Sequence, residues 1–202
     1  MSFLLLFPFR RIGVFILLVL MASSAHAQWS NDPTVNTPIV VAANTQDQQV
    51  SASDGNKGII TAWIDNRTSP REIFIQKLNG SGVAQWAANG VQLTNAGTTP
   101  GHLKMTGDGA GGAFITWIAQ NGVHWDVFVQ RVDASGNAMW AANGINLTGG
   151  EPSNNHQTNP FVYADANDVV VAWVDQREGG ANGREVGIWA QKLDWSGNIQ
   201  WT

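Results

Sequence analysis

Apolar and polar residues alternate along most of this chain, and the alternation comes in short bursts. "GIITAWI" (58–64), "GAFITWI" (112–118) and "DVVVAWV" (168–174) carry β-branched and aromatic residues in a two-residue rhythm. The same rhythm runs through "IFIQKL" (73–78), "VFVQRV" (127–132) and "IWAQKL" (188–193). Successive side chains of a strand point to opposite faces, so these bursts predict sheet strands; an amphipathic helix would show a 3.6-residue period instead. Between the bursts stand "SDGNKG" (53–58) and "GDGAGG" (107–112), and also "NGSG", "DASG" and "DWSG", which begin at Asn79, Asp133 and Asp194. Gly and Asx residues reach positive φ at little cost, so each of these predicts a tight turn. Beyond residue 27 no stretch predicts a helix.

The pattern recurs. Val127 to Thr148 and Ile73 to Thr94 agree at 12 of 22 aligned positions. Trp63, Trp117 and Trp173 are spaced by 54 and 56, while Trp86, Trp140 and Trp201 are spaced by 54 and 61, as are Gln76, Gln130 and Gln191. The extra residues of the third copy fall in one loop, "QREGGANGRE" (176–185). An insertion confined to a loop marks a repeat of structural units. In the first copy the unit predicts four antiparallel strands, "QQVSAS", "GIITAWI", "IFIQKL" and "VAQWA". The fold class expected is all-β: about three such units (29–86, 87–140 and 141–201), resembling β-propeller blades, within a domain spanning 28–202. A β-sandwich would not repeat its sequence so closely, and solenoid coils are usually shorter. Rings close with roughly four to eight blades, so three units predict an incomplete propeller. Further repeats in a longer chain, or other copies of this chain, would complete it.

The consensus "DG-x-GG-x-x-x-x-W-x-D-x-R", continued by "Q-[KR]-[VL]-D-x-x-G-x-x-x-W-x-x-NG-[VI]-x-L", resembles repeats of large secreted proteins from Bacteroidetes-type bacteria. The resemblance covers nearly all of the chain after residue 27. It implies a propeller-like architecture and export, and in that family often a sorting domain for type IX secretion, to which no stretch of this sequence corresponds. It says little about activity.

The N-terminus refines the picture. Arg10 and Arg11, the apolar run Ile12 to Ala22 and the small-x-small triplet Ala25-His26-Ala27 predict a cleaved signal peptide over 1–27. The alternative is a retained anchor, although the apolar run falls short of the roughly 20 residues a span needs. A secreted or cell-surface protein is expected, with the periplasm as the other destination. Cysteine is absent, which excludes disulfides, thiolate chemistry and a lipidated cysteine. Removing Arg10 and Arg11 leaves 9 basic against 15 acidic residues, without clusters. That balance argues against nucleic acid, and against a membrane partner after signal cleavage.

Candidate chemistry concentrates where copies differ. Trp125 occupies the column of Arg71, and Trp195 stands in a turn where the other copies have Gly80 and Ala134. An exposed indole there would offer a flat face to a sugar or a protein. "W-x-D-x-R" places Asp65 with Arg67, and Asp175 with Arg177, on one side of a strand. Each pair could order the following loop or line a polar pocket. The middle copy has Ala119 and lacks both charges. Glu72, Asp126 and Glu185 recur at one end of the units, where a glycoside hydrolase or lyase would need paired carboxylates. Neither an arginine triad nor a Tyr-Glu nucleophile pair supports a sialidase. His102, His124 and His156 lack metal-ligand spacing, and Asp165 to Asp168 reads as a turn rather than a calcium loop. No cofactor is expected. The reading is a non-catalytic scaffold for binding or display, its ligand a glycan or protein, with a glycoside hydrolase or lyase as the alternative.

Overall fold

The computed structural model describes residue 29 and residues 32–122, 124–149, 156–176 and 186–201. The predicted leader, Arg177 and Glu185 lie outside them. Every regular element described is a strand, paired antiparallel. The first sheet runs in the order β1 (Gln46–Ser53), β2 (Ile59–Asp65), β3 (Glu72–Leu78), β4 (Val91–Gln92). The second repeats that meander with β5 (Pro100–Gly107), β6 (Ala113–Asn121), β7 (His124–Val132) and β8 (Ile145–Asn146). The third contains β9 (Gln157–Ala164), β10 (Asp168–Asp175) and β11 (Gly187–Asp194).

The cores lie between sheets. From the first sheet Ile60, Ala62, Ile64, Ile73 and Ile75 meet Ala113, Ile115, Trp117 and Ala119 of β6 in one cluster. From the other face of β6, Phe114 and Ile118 meet Val169, Val171 and Trp173 of β10 in the second. The two-residue period therefore serves two interfaces at once, since β6 sends alternate side chains to opposite neighbours. The first strands adjoin in series, β1 beside β5 and β5 beside β9. Among the described residues these are blade-like units packed face to face in an arc that does not close, as in an incomplete propeller.

The fourth strand departs from expectation. "VAQWA" makes only a single bridge, Leu78 to Ala84, and the strand proper is the two-residue β4. The reason is Gln76. Its buried amide accepts from the Trp86 N–H (3.1 Å) and donates to the Ala87 carbonyl (2.7 Å), so a side chain supplies bonds that a strand ladder would have made. Gln130 does the same for Trp140 (3.0 Å) and Ala141 (2.8 Å). The chain then turns through Asn89 and Gly90, both at positive φ. A Cβ on Gly90 would stand 2.5 Å from the Trp63 ring, which is why "NG" recurs.

Trp86 and Trp140 join neighbouring units. The Trp86 indole donates to the Ala134 carbonyl (3.2 Å) and lies against Gly136, while Trp140 donates to the Trp195 carbonyl (3.1 Å) and lies against Gly197. Trp29 covers Gly82 in the same manner. The glycine of each third turn is thus the seat for a tryptophan arriving from the preceding stretch.

Candidate functional site

Each first strand carries one bulge at the same place. Between the pairs Asp47↔Ile64 and Val50↔Ala62, two residues of β1 oppose the single residue Trp63. β5 repeats this opposite Trp117, and β9 opposite Trp173. The first residue of each bulge lies in the left-handed region: Gln48 (φ 53), His102 (φ 53) and Asn159 (φ 49). Such a conformation strains a residue with a Cβ, least for Asn, and glycine would relieve it. Instead three exposed polar side chains occupy the bulges. Strain retained at equivalent places marks a candidate site. Adjacent bulges are linked, as the His102 N–H donates to the Gln48 side-chain oxygen (3.0 Å).

Beside these bulges lies a recess of about 370 Å³ bounded by Gln48, His102, Pro100, Thr158, Arg71 and Trp125. Arg71 immediately precedes β3, and Trp125 is the second residue of β7; hence the two members of one repeat column wall the same concavity. Asp47 holds the Arg71 guanidinium at 2.5 Å. The half-buried Trp125 packs partly on the second core. Of these residues the sequence singles out Trp125; His102 enters only as a metal-ligand candidate without ligand spacing, and Gln48 and Asn159 carry no motif. A signal existed, because Gln48 and His102 each stand 15 residues before the repeated tryptophans Trp63 and Trp117.

Trp195 is placed differently from expectation. Its turn carries it onto the second sheet, where it meets Phe114 edge-on (centroids 5.8 Å apart) and takes the Arg131 guanidinium over its ring at 4.3 Å. Its indole N–H donates to the Asp165 carbonyl (3.2 Å). The half-buried ring is therefore a wedge between sheets, already stacked from within the chain. Turn residues of one unit border the next, and a sequence read one unit at a time does not show that.

Asp65 and Asp175 are fully buried. The Asp65 carboxylate accepts from the Trp63 indole (2.8 Å), the Arg67 backbone N–H (2.8 Å), the Arg67 guanidinium (2.5 Å) and Gln46 (3.4 Å). Burial works to raise this carboxyl, and the hydrogen bonds from Arg67 and Trp63 outweigh it, holding the group below its ordinary range. Arg67 also covers the Phe74 ring (4.1 Å). Asp175 accepts from Trp173 (2.8 Å) and Gln157 (3.4 Å). In the middle sheet Pro100 replaces the glutamine and Ala119 the aspartate, so both partners change together. These groups brace their strands away from the recess.

Glu72 and Asp126 are also committed. Glu72 accepts from the Thr94 hydroxyl (2.5 Å) and the Gly97 N–H (3.0 Å), and Asp126 from Asn146 (2.8 Å). Both are buried clasps for the segment leading out of the fourth strand. Asp165 accepts from the Asn167 and Asp168 N–H groups (both 2.9 Å), a closed turn with its oxygen used internally. His124 and His156, far apart in sequence, come together with ring centroids 6.1 Å apart. Among the described residues no three His, Asp or Glu side chains are placed to share an ion.

No protein-family model matches the chain, and no curated protein does. An endo-arabinase from Bacteroides thetaiotaomicron is a similar solved structure, at 13% identity and a TM-score of 0.41. The match covers 71% of this chain and 57% of that one, so this chain spans little more than half the length of the protein it resembles.

Proposed function

We propose that this chain is an exported, non-catalytic repeat scaffold for binding or display at the bacterial surface, and that it takes a carbohydrate at the recess beside Trp125. The observation that carries the reading is the meeting of Trp125, Arg71, Gln48 and His102 on one concave surface beside strained bulges. A sugar ring has an apolar C–H face and a rim of hydroxyls. An indole serves the first, and guanidinium, amide and imidazole groups serve the second. A recess of this size falls near the lower bound, roughly 300 Å³, of ordinary small-molecule sites. The hydrolase or lyase alternative needs carboxylates facing the ligand. Among the described residues none lines this recess, and Glu72 and Asp126 are buried in clasps.

Glycan-array binding followed by calorimetry on the best hit tests the reading. Trp125→Ala should weaken binding at least about tenfold, the equivalent of one lost stacking contact. Trp195→Ala should instead lower the unfolding midpoint and leave affinity unchanged. A wild-type protein that binds no glycan, or a Trp125→Ala protein that binds equally well, sinks the carbohydrate reading. Product release from a panel of glycosides would favour the hydrolase.

A further inference from the structure

Sheet faces are used in series along this chain, and the series has an open end. In the first sheet Ile60, Ala62, Ile64 and Ile73 are 0% exposed. In the second, the same columns hold Phe114, Thr116, Ile118 and Val127, all buried. In the third they hold Val170, Ala172, Val174 and Ile188. These remain apolar, yet the three β10 residues are only half-buried and Ile188 is 77% exposed. Cross-strand pairing adds Phe161 beside Ala172 and Tyr163 beside Val170, 61% and 59% exposed. Paired residues share a face, so all six side chains form one outward surface. An apolar patch of this kind marks an interaction site, because its exposure to water is unfavourable.

The tryptophan wedges point the same way. Trp29, Trp86 and Trp140 each lie on a third-turn glycine, at Gly82, Gly136 and Gly197. Trp201, the next in the series, is 48% exposed, and no described glycine receives it. A second copy of this chain docking head to tail would have to offer its first sheet. There Gly82 already carries Trp29, whose ring lies 3.3 Å from where a Cβ would stand, and Trp63 is only 2% exposed.

We infer that the outward face of the third sheet is the docking surface for a further four-stranded unit of this same repeat. That unit offers a Ser-Gly turn to Trp201 and a strand of small and apolar residues, like Ala113, Ile115 and Trp117, to Val170, Ala172 and Val174. The contact continues the two interfaces already present, in the same columns.

Repeating residues 87–149 directly after Trp201, and placing Ile188→Asp in the extended and the original protein, tests this. In the original protein the substitution falls on an exposed side chain and should move the thermal midpoint by less than about 1 °C. In the extended protein it should lower the midpoint by on the order of 5 °C, and Trp201→Ala should do the same. Equal effects in both proteins overturn the inference. So does an added unit that stays unfolded by hydrogen exchange, or a dimer of the original protein that Ile188→Asp dissociates, which would give the face to a second copy.

Discussion

Asp65 holds three neighbours in one buried carboxylate: the indole of Trp63, the guanidinium and backbone N–H of Arg67, and more distantly Gln46. The hydrogen bonds keep it charged, and the charge in turn anchors Arg67 across Phe74. Removing one member of such a set leaves the others desolvated without partners, which costs more than the net worth of the pair. Asp65→Ala should therefore destabilise by about 3 kcal/mol, read as a drop in urea midpoint at unchanged slope. Asp65→Asn keeps one accepting oxygen but turns an amide NH2 toward groups that themselves donate, so it should recover only part of that loss. If the two variants are equally unstable, charge rather than hydrogen bonding holds this corner. The middle sheet shows the other solution, Ala119 opposite Pro100, where both partners are replaced together.

Within the unit, the three long strands were legible because alternation and turn chemistry agree at each of them: β2 and β3 follow "GIITAWI" and "IFIQKL" almost residue for residue. The fourth was not, because the Gln76 side chain replaces ladder bonds and no alternation pattern records that. The bulges were hidden for a related reason. Left-handed backbone is ordinarily signalled by glycine, and these positions hold Gln48, His102 and Asn159. Turn glycines, by contrast, were legible as turns while their second duty was not. Gly109 and Gly136 separate the two duties. Both have positive φ (72 and 87), but a Cβ on Gly109 meets nothing within 4 Å, whereas one on Gly136 would stand 2.9 Å from the Trp86 ring. Gly109→Ala should cost about 1 kcal/mol from backbone strain alone. Gly136→Ala should cost about 1–3 kcal/mol more from overpacking, and should redden the tryptophan emission as Trp86 is lifted into water. Equal costs for the two variants would show that the tryptophan seat yields freely.

Across the whole molecule the carboxylates act as fasteners of turns and strands. Asp54 and Asp133 each accept two backbone N–H bonds from the turn they begin. Asp65 accepts from Arg67 and Trp63. In all three, burial pushes the carboxyl up and hydrogen bonding pushes it further down, so each sits below its ordinary value of 3.8 in the folded chain. The unfolded chain then binds more protons than the folded one as the medium acidifies through that value. Stability from these groups is complete above about pH 5 and is lost as pH falls past 3.8 toward their folded values. An opposing effect comes from the formal net charge of −4 at pH 7, whose repulsion acid relieves only down to the isoelectric point near 5.4. That effect is spread over the surface and screened within roughly 10 Å at ordinary ionic strength, whereas the fasteners act at hydrogen-bond distance, so the fasteners dominate. Urea midpoints at pH 6, 4.5 and 3 should hold nearly level over the first interval and fall over the second. Asp65→Asn should flatten part of that fall, since it removes one proton-binding difference between the folded and unfolded chains. A midpoint that stays level or rises between pH 4.5 and 3, an interval below the isoelectric point near 5.4 where net positive repulsion also grows, would mean that the turns hold without their charges.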